Sequence, residues 1–399
     1  MTRQTTMGNT RKEIVVAGAG PAGSSVAIRL ADAGHSVTII ERERFPRHKL
    51  CGEFISPECI GHFREIGVSD AMLSSGGQSI KETRFYAASG RSVGIQSEIF
   101  GGNALSLSRA RMDDVLLERA RSAGVRVLTE TAVIGVELGA NGISSLRVRN
   151  ESGLSQIEGS IFIDATGRAG TLSKLSAKKA DKASKTRQAK QPGFVGFKQH
   201  VRGAKITPGT CEIYFFPGGY GGVTYIENGL ANHCFIMTSE RVRSLGADQN
   251  RILTEAVFRN RRAQATLSNA DPVGDRLAVA VDSFGSRNTT GHQNLFSVGD
   301  AAAFIDPFTG SGMLLALESS RVLSDCLIES DLETLSAVNA YTVRYAKRFC
   351  GRLRTSSLLR RAAFVPGIAS FSIFSLFHSQ TVMRTFARAT RRGFSLSRK

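Results

Sequence analysis

Glu13-Ile14-Val15-Val16-Ala17-Gly18-Ala19-Gly20-Pro21-Ala22-Gly23 is the stretch that decides the fold of this chain. Glu13 to Ala17 reads as a short buried strand that runs into glycines. Ala22 to Ala33 reads as a helix stopped by Gly34, and Ser36 to Ile40 as a second strand ending at Glu41. Strand, glycine turn, helix and strand make one βαβ unit. In the turn, Gly18 permits the tight bend, Gly20 lets the backbone approach a pyrophosphate, and Gly23 lets the helix pack closely on the strand. The helix start adds bare N–H groups and a positive partial charge, which suit phosphates. Glu41, 18 residues past Gly23, stands where a carboxylate accepts from ribose hydroxyls, with Arg42 beside it. This unit alone fits FAD and NAD equally well.

Two later stretches extend the pattern. Ile161-Phe162-Ile163-Asp164-Ala165-Thr166-Gly167-Arg168 is an apolar strand ending in an acid and a small-residue turn. By itself it reads equally well as an ordinary strand-to-loop corner. Leu295-Phe296-Ser297-Val298-Gly299-Asp300 is another buried strand, and it delivers a carboxylate suited to a ribityl hydroxyl. Asp306-Pro307-Phe308 follows, and Gly310-Ser311-Gly312 opens a long helix from Met313 to about Ser330. Its bare N–H groups suit the negative N1/O2 edge of a reduced flavin.

The three stretches in this order resemble the flavoprotein superfamily of para-hydroxybenzoate hydroxylase, which includes geranylgeranyl reductases and flavin-dependent halogenases. The resemblance covers roughly residues 13 to 330. It implies an α/β fold: a glutathione-reductase-type Rossmann FAD domain with an inserted mixed β-sheet substrate domain and a helical C-terminus. The implied cofactor-binding set is Gly18, Gly20, Pro21, Ala22, Gly23, Glu41, Arg42, Arg109, Asp164, Gly299, Asp300, Pro307, Gly310, Ser311, Gly312 and Met313. Arg109 enters because an Arg opening the helix after the first sheet insertion contacts the cofactor in that family. The implied division is residues 1–80, 107–190 and 286–330 for the FAD domain, 81–106 and 191–285 for the substrate domain, and 331–399 for a basic helical region.

Phe45-Pro46-Arg47-His48-Lys49-Leu50-Cys51-Gly52-Glu53 looks like a segment of the geranylgeranyl-reductase-like branch, where the cysteine lies beside flavin and substrate. Cys51 and Glu53 are therefore the catalytic candidates, with a thiol able to tune the site or donate a proton. The plainer readings are a packed thiol and a partner for Arg47 or Lys49. Tyr214-Phe215-Phe216-Pro217-Gly218-Gly219-Tyr220 is similar to the substrate sheet of the same branch. Tyr214, Phe216, Pro217, Gly219 and Tyr220 are its substrate candidates, or else simply a sheet core with a glycine-rich turn. The chain has no Trp. That speaks against a halogenase, and it also departs from the isoprenoid reductases, which carry a Trp where this chain has Phe216. Hydroxylation of an apolar substrate, with NADPH or NADH docking transiently because no second glycine fingerprint appears, is therefore favoured over alkene reduction.

Composition sets the outer bounds. With 399 residues and 41% hydrophobic content, the chain can bury one large core or two coupled ones. Six scattered cysteines without a CxxC pair fit reduced thiols and a cytoplasmic location, and exclude a zinc ribbon. Met1 to Lys12 is polar and reads as a leader, not a secretory signal. The net charge of +18 is concentrated at Lys174–Lys190 and along the C-terminal third. A solvated surface explains it; an anionic membrane reached through the basic C-terminus is the sharper reading, with Phe364 to Met383 as an interfacial or packed helix. No nucleic-acid motif accompanies the charge, so no nucleic-acid partner is expected. A basic membrane- or nucleic-acid-binding protein holding FAD structurally is the competing class.

Overall fold

A computed structural model describes residues 12–180, 193–281, 284–287, 289–306 and 310–363. Pro307, the segment Phe364–Met383 and the basic tail beyond it lie outside the described residues. The opening βαβ unit forms as strand Glu13–Ala17, helix Pro21–Asp32 and strand Ser36–Ile40. These belong to a five-stranded parallel sheet in the order Leu295–Ser297, Ile161–Asp164, Glu13–Ala17, Ser36–Ile40, Arg126–Leu128. Parallel pairing brings the carboxyl ends of all five strands to one edge. The glycine turn, Glu41, the Asp164 turn and the Gly299-Asp300 turn, scattered through about 280 residues of sequence, therefore converge there.

Strand alternation sorts the core into two layers. Ile14, Val16, Ile161, Ile163 and Phe296 face one layer with the helices Pro21–Asp32, Arg109–Ser122 and Gly312–Glu329. Val15, Ala17, Phe162 and Leu295 face the other, against an antiparallel sheet of Ala132–Gly139, Gly142–Asn150 and Gly153–Glu158. Sequence patterning did not reveal that small sheet, because its outer strand is largely exposed. The C-terminal helix Thr334–Ala363 buries Ala337, Tyr341, Tyr345 and Phe349 in the first of these layers. Among the described residues, no helix is long and apolar enough to cross a membrane.

A second sheet of seven strands runs in the order Asp271–Val281, Phe194–Arg202, Ala231–Thr238, Gly219–Tyr225, Thr210–Phe216, Glu82–Tyr86, Ser92–Gln96. Thr210–Phe216 pairs parallel with Glu82–Tyr86 among otherwise antiparallel neighbours, so the sheet is mixed, as the family resemblance implies. Short helices Ser239–Ser244, Gln249–Glu255 and Arg261–Leu267 cover one face. Ser108 caps its helix as its sequence position suggests, accepting from the Arg111 N–H. Ser56 does not; its hydroxyl turns to the Cys59 thiol.

Two buried polar residues lock the helical cover onto the sheet. Glu212 accepts from Tyr214, from Arg262 through two nitrogens and from the Thr207 N–H. Asn260 donates to the carbonyls of Tyr86, Ala87 and Phe215, while its own oxygen caps the last helix at Arg262 N and Ala263 N. Asn260→Asp would turn a donor into an acceptor facing three carbonyl oxygens. The substitution should lower unfolding free energy by about 3 kcal/mol or more. Urea melts check this; a loss below about 1 kcal/mol would show that the hold of the helical cover on the sheet does not depend on this amide.

Candidate functional site

The shared carboxyl edge is built around the first turn. A Cβ at Gly18 (φ 103°) would lie 2.4 Å from the Ala165 carbonyl oxygen, and one at Gly23 would lie 1.8 Å from the Gly18 carbonyl oxygen. Closure of the turn onto its neighbours demands both glycines. Gly20 is different: a Cβ there would meet only Arg109 Nη2 at 3.7 Å and Arg47 Nη2 at 4.0 Å. Pro21 and Ala22 start the helix without a side-chain cap. An open step with bare helix N–H groups and two guanidinium groups fits a pyrophosphate.

Around the step runs a chain of alternating charge. Glu41 accepts from Ala19 N–H at 2.9 Å and Glu43 N–H at 3.0 Å, and pairs with Arg47 at 3.4 Å. Arg47 pairs with the fully buried Asp113 at 2.6 Å, and Asp113 in turn holds Arg109 at 2.7 Å. Burial works against the charge on Arg109, but Asp113 and the Cys51 thiol beside it raise its pKa well above the usual value. Arg42 is largely exposed and pairs with Glu43. Asp164 is fully buried and spends its oxygens on its own turn, accepting from Thr166 N–H, Thr166 Oγ1 and Ser173 N–H.

Across the edge, Gly299 (φ 60°) donates to Ser319 Oγ at 2.9 Å. Burial pushes the Asp300 carboxyl up to about 6, against the pull of Arg168, Arg109 and Arg287. Gly310 (φ 58°) packs against the Phe54 ring, Ser311 is fully buried, and Gly312 and the half-buried Met313 begin the long helix.

In front of this edge lies the second sheet. Glu53 (φ 54°) has no exposed surface and accepts from Arg109 N–H at 2.7 Å, from Lys198 and from or with His200 Nε2 at 2.7 Å. Its partners are thus Lys198 and His200, in place of the expected Arg47 or Lys49. Burial would raise its pKa, but the His200 hydrogen bond and Lys198 hold it below the ordinary carboxylate value. Cys51 Sγ accepts from Glu53 N–H at 3.3 Å, and Asn232 Nδ2 donates to the Cys51 carbonyl at 3.0 Å.

The pleat divides the sheet candidates between two faces. Tyr214, bonded to Glu212, and Phe216, edge-on to Phe235, point toward the covering helices. Phe215 and Tyr220 sit on the opposite face with Ile236, Phe85, Phe194 and Phe284. Tyr220 donates to Asp306 at 2.5 Å, which ties this face to the turn before Gly310. Pro217 is exposed at the hairpin tip, and a Cβ at Gly219 would strike the Ile236 carbonyl oxygen at 2.4 Å, so that glycine answers to strand packing. A cavity of about 70 Å³ bordered by Phe197, His233, Phe235 and Leu267 lies on the helix side, away from Cys51.

Sequence reasoning missed Asp113, Lys198, His200 and Arg352. Asp113 had a signal in its i,i+4 spacing from Arg109. Lys198 and His200 had one as alternate polar positions in the strand Phe194–Arg202.

The chain matches the FAD binding domain family over residues 11–331. It is 27% identical over 326 residues to the digeranylgeranylglycerophospholipid reductase of Methanosarcina acetivorans, covering 80% of this chain and 75% of that one. It is 23% identical over 382 residues to the menaquinone reductase of Mycolicibacterium smegmatis, covering 90% and 87%. In fold it is similar to a triple mutant of the flavin-dependent brominase Bmp2, with a TM-score of 0.79, 18% identity and 96% of each chain covered. With the glycine step, the acidic turns and the parallel sheet all in place, the chain belongs to the FAD binding domain family of oxidoreductases.

Proposed function

We propose that this flavoprotein reduces carbon–carbon double bonds in an apolar, isoprenoid-bearing substrate, with NADPH or NADH as transient electron donor. The observation that carries this reading is the position of Phe216. It faces the covering helices, on the opposite side of the sheet from Phe215 and Tyr220. Replacing the reductases' Trp by Phe there alters packing against Phe235 and leaves the reaction face untouched. The sequence argument for hydroxylation loses its basis. The two reductases matched over most of their length support the same direction.

FAD held here and reduced by NADPH or NADH would supply the hydride. The Gly20 step with Arg47 and Arg109 binds its pyrophosphate, Glu41 its ribose, and Asp300 a ribityl hydroxyl. The apolar sheet face of Phe85, Phe194, Phe215 and Ile236 holds the substrate and excludes water. Cys51, which lies beside Arg109, gives a proton to the second alkene carbon and recovers one from solvent.

Anaerobic turnover of a polyprenyl lipid or quinone with NADPH should add two hydrogens per bond reduced. A product that instead gains one oxygen atom, and forms only in air, would establish hydroxylation. Cys51→Ala should keep FAD and its reduction by NAD(P)H, but slow reoxidation by substrate about 10²–10⁴-fold. Stopped-flow traces with wild-type rates in both half-reactions would reduce Cys51 to packing.

Asp300 gives a pH signature. As an acid with a raised pKa, it is protonated below about 6 and then loses its charged acceptor. FAD affinity should therefore fall by roughly 10- to 100-fold as pH drops through that value. In Asp300→Asn the affinity should be weak and flat with pH. An unchanged pH profile in the variant would remove Asp300 from the cofactor contacts.

A further inference from the structure

Among the described residues, Arg352 is one of the largest fully buried side chains, with 1% of its surface exposed. Nη1 donates to Glu318 Oε2 at 2.6 Å and Nη2 to the Ser311 carbonyl at 3.2 Å. Its Nε has no hydrogen-bond partner among the described residues. Arg348 reaches the other oxygen of Glu318 at 2.5 Å. Arg352 and Glu318 form a buried pair whose guanidinium contacts the turn that starts the helix Gly312–Glu329, while Arg348, with 53% of its side chain exposed, adds its charge from the solvent side.

The same C-terminal helix reaches the other cofactor turn. Tyr341 donates to the Ser297 carbonyl at 2.8 Å, just before Gly299-Asp300. Tyr345 lies between, and burial, with Cys350 and Asp300 against Arg352, raises its phenol pKa. No Asp or Glu occurs from Thr334 to Ala363. Burying a guanidinium costs several kcal/mol in desolvation, and a Met or Leu would fill the same space without that penalty. What the arginine adds is a hold on the Ser311 carbonyl and a guanidinium in contact with the turn at the helix start.

We propose that Arg352 is a positioning residue that raises the reduction potential of the bound flavin. Arg352, held by Glu318, fixes the Ser311 turn and sets its guanidinium behind the N–H groups that would face the flavin's N1/O2 edge. Reduction builds negative charge at that edge, and a cation across a short stretch of low-dielectric protein favours the reduced form. This rests on the reading that the Gly310-Ser311-Gly312 turn faces the flavin.

The test is the midpoint potential of bound FAD, measured against reference dyes in the full-length holoprotein. Arg352→Met removes the positive charge and should shift the potential downward. Glu318→Gln leaves Arg352 able to hold Ser311 but removes a negative charge, and should shift it upward. A loss of packing alone has no reason to move the two variants in opposite directions. Shifts of the same sign, or none, with FAD still bound, would overturn the proposal. If Arg352→Met fails to fold, Glu318→Gln decides alone: no upward shift overturns it. Failure of the wild-type protein to bind FAD would strike the cofactor reading itself.

Discussion

Glu53 is fully buried, yet its carboxylate is held ionised. A buried charge persists only when its partners offset the lost hydration. Glu53 finds them in two parts of the molecule: the Arg109 N–H at the start of a nucleotide-domain helix, and Lys198 and His200 on the second sheet. One carboxylate thereby sets where the apolar sheet stands relative to the pyrophosphate step. Its positive φ turns the chain so that its own N–H meets the Cys51 thiol.

The rest of the site relies on similar pairing. Glu41, Arg47, Asp113 and Arg109 alternate in sign around the open Gly20 step, which keeps two guanidinium groups in place before any phosphate arrives. Tyr220 and Asp306 tie the sheet to the turn before the long helix. Behind the edge, Tyr341 and Arg352 brace the Gly299-Asp300 turn and the Gly310–Gly312 turn from one helix. The sheet face proposed to hold the substrate carries aromatic and aliphatic side chains, so the polar groups lie at its border.

Much of the nucleotide domain was legible in the sequence, because a glycine turn between two apolar strands has few other uses. The strands Glu13–Ala17 and Ser36–Ile40 needed no tertiary information. The second sheet was legible as texture but not as faces: Phe215 and Phe216 look alike in sequence, and only the register with Gly219–Tyr225 decides which of them meets the substrate side. Long-range partners were invisible for the same reason. Nothing local marks Lys198 as the partner of Glu53, 145 residues away, or Arg352 as that of Ser311.

The most direct measurement is an experimental structure of the protein with FAD bound. The pyrophosphate should lie over Gly20 between Arg47 and Arg109. The adenosine ribose should lie against Glu41, and the flavin ring should have Cys51 on the side of the apolar sheet. A pyrophosphate seated elsewhere, or a flavin ring turned away from Cys51 and the Phe215–Tyr220 face, would contradict the placement of both cofactor and chemistry.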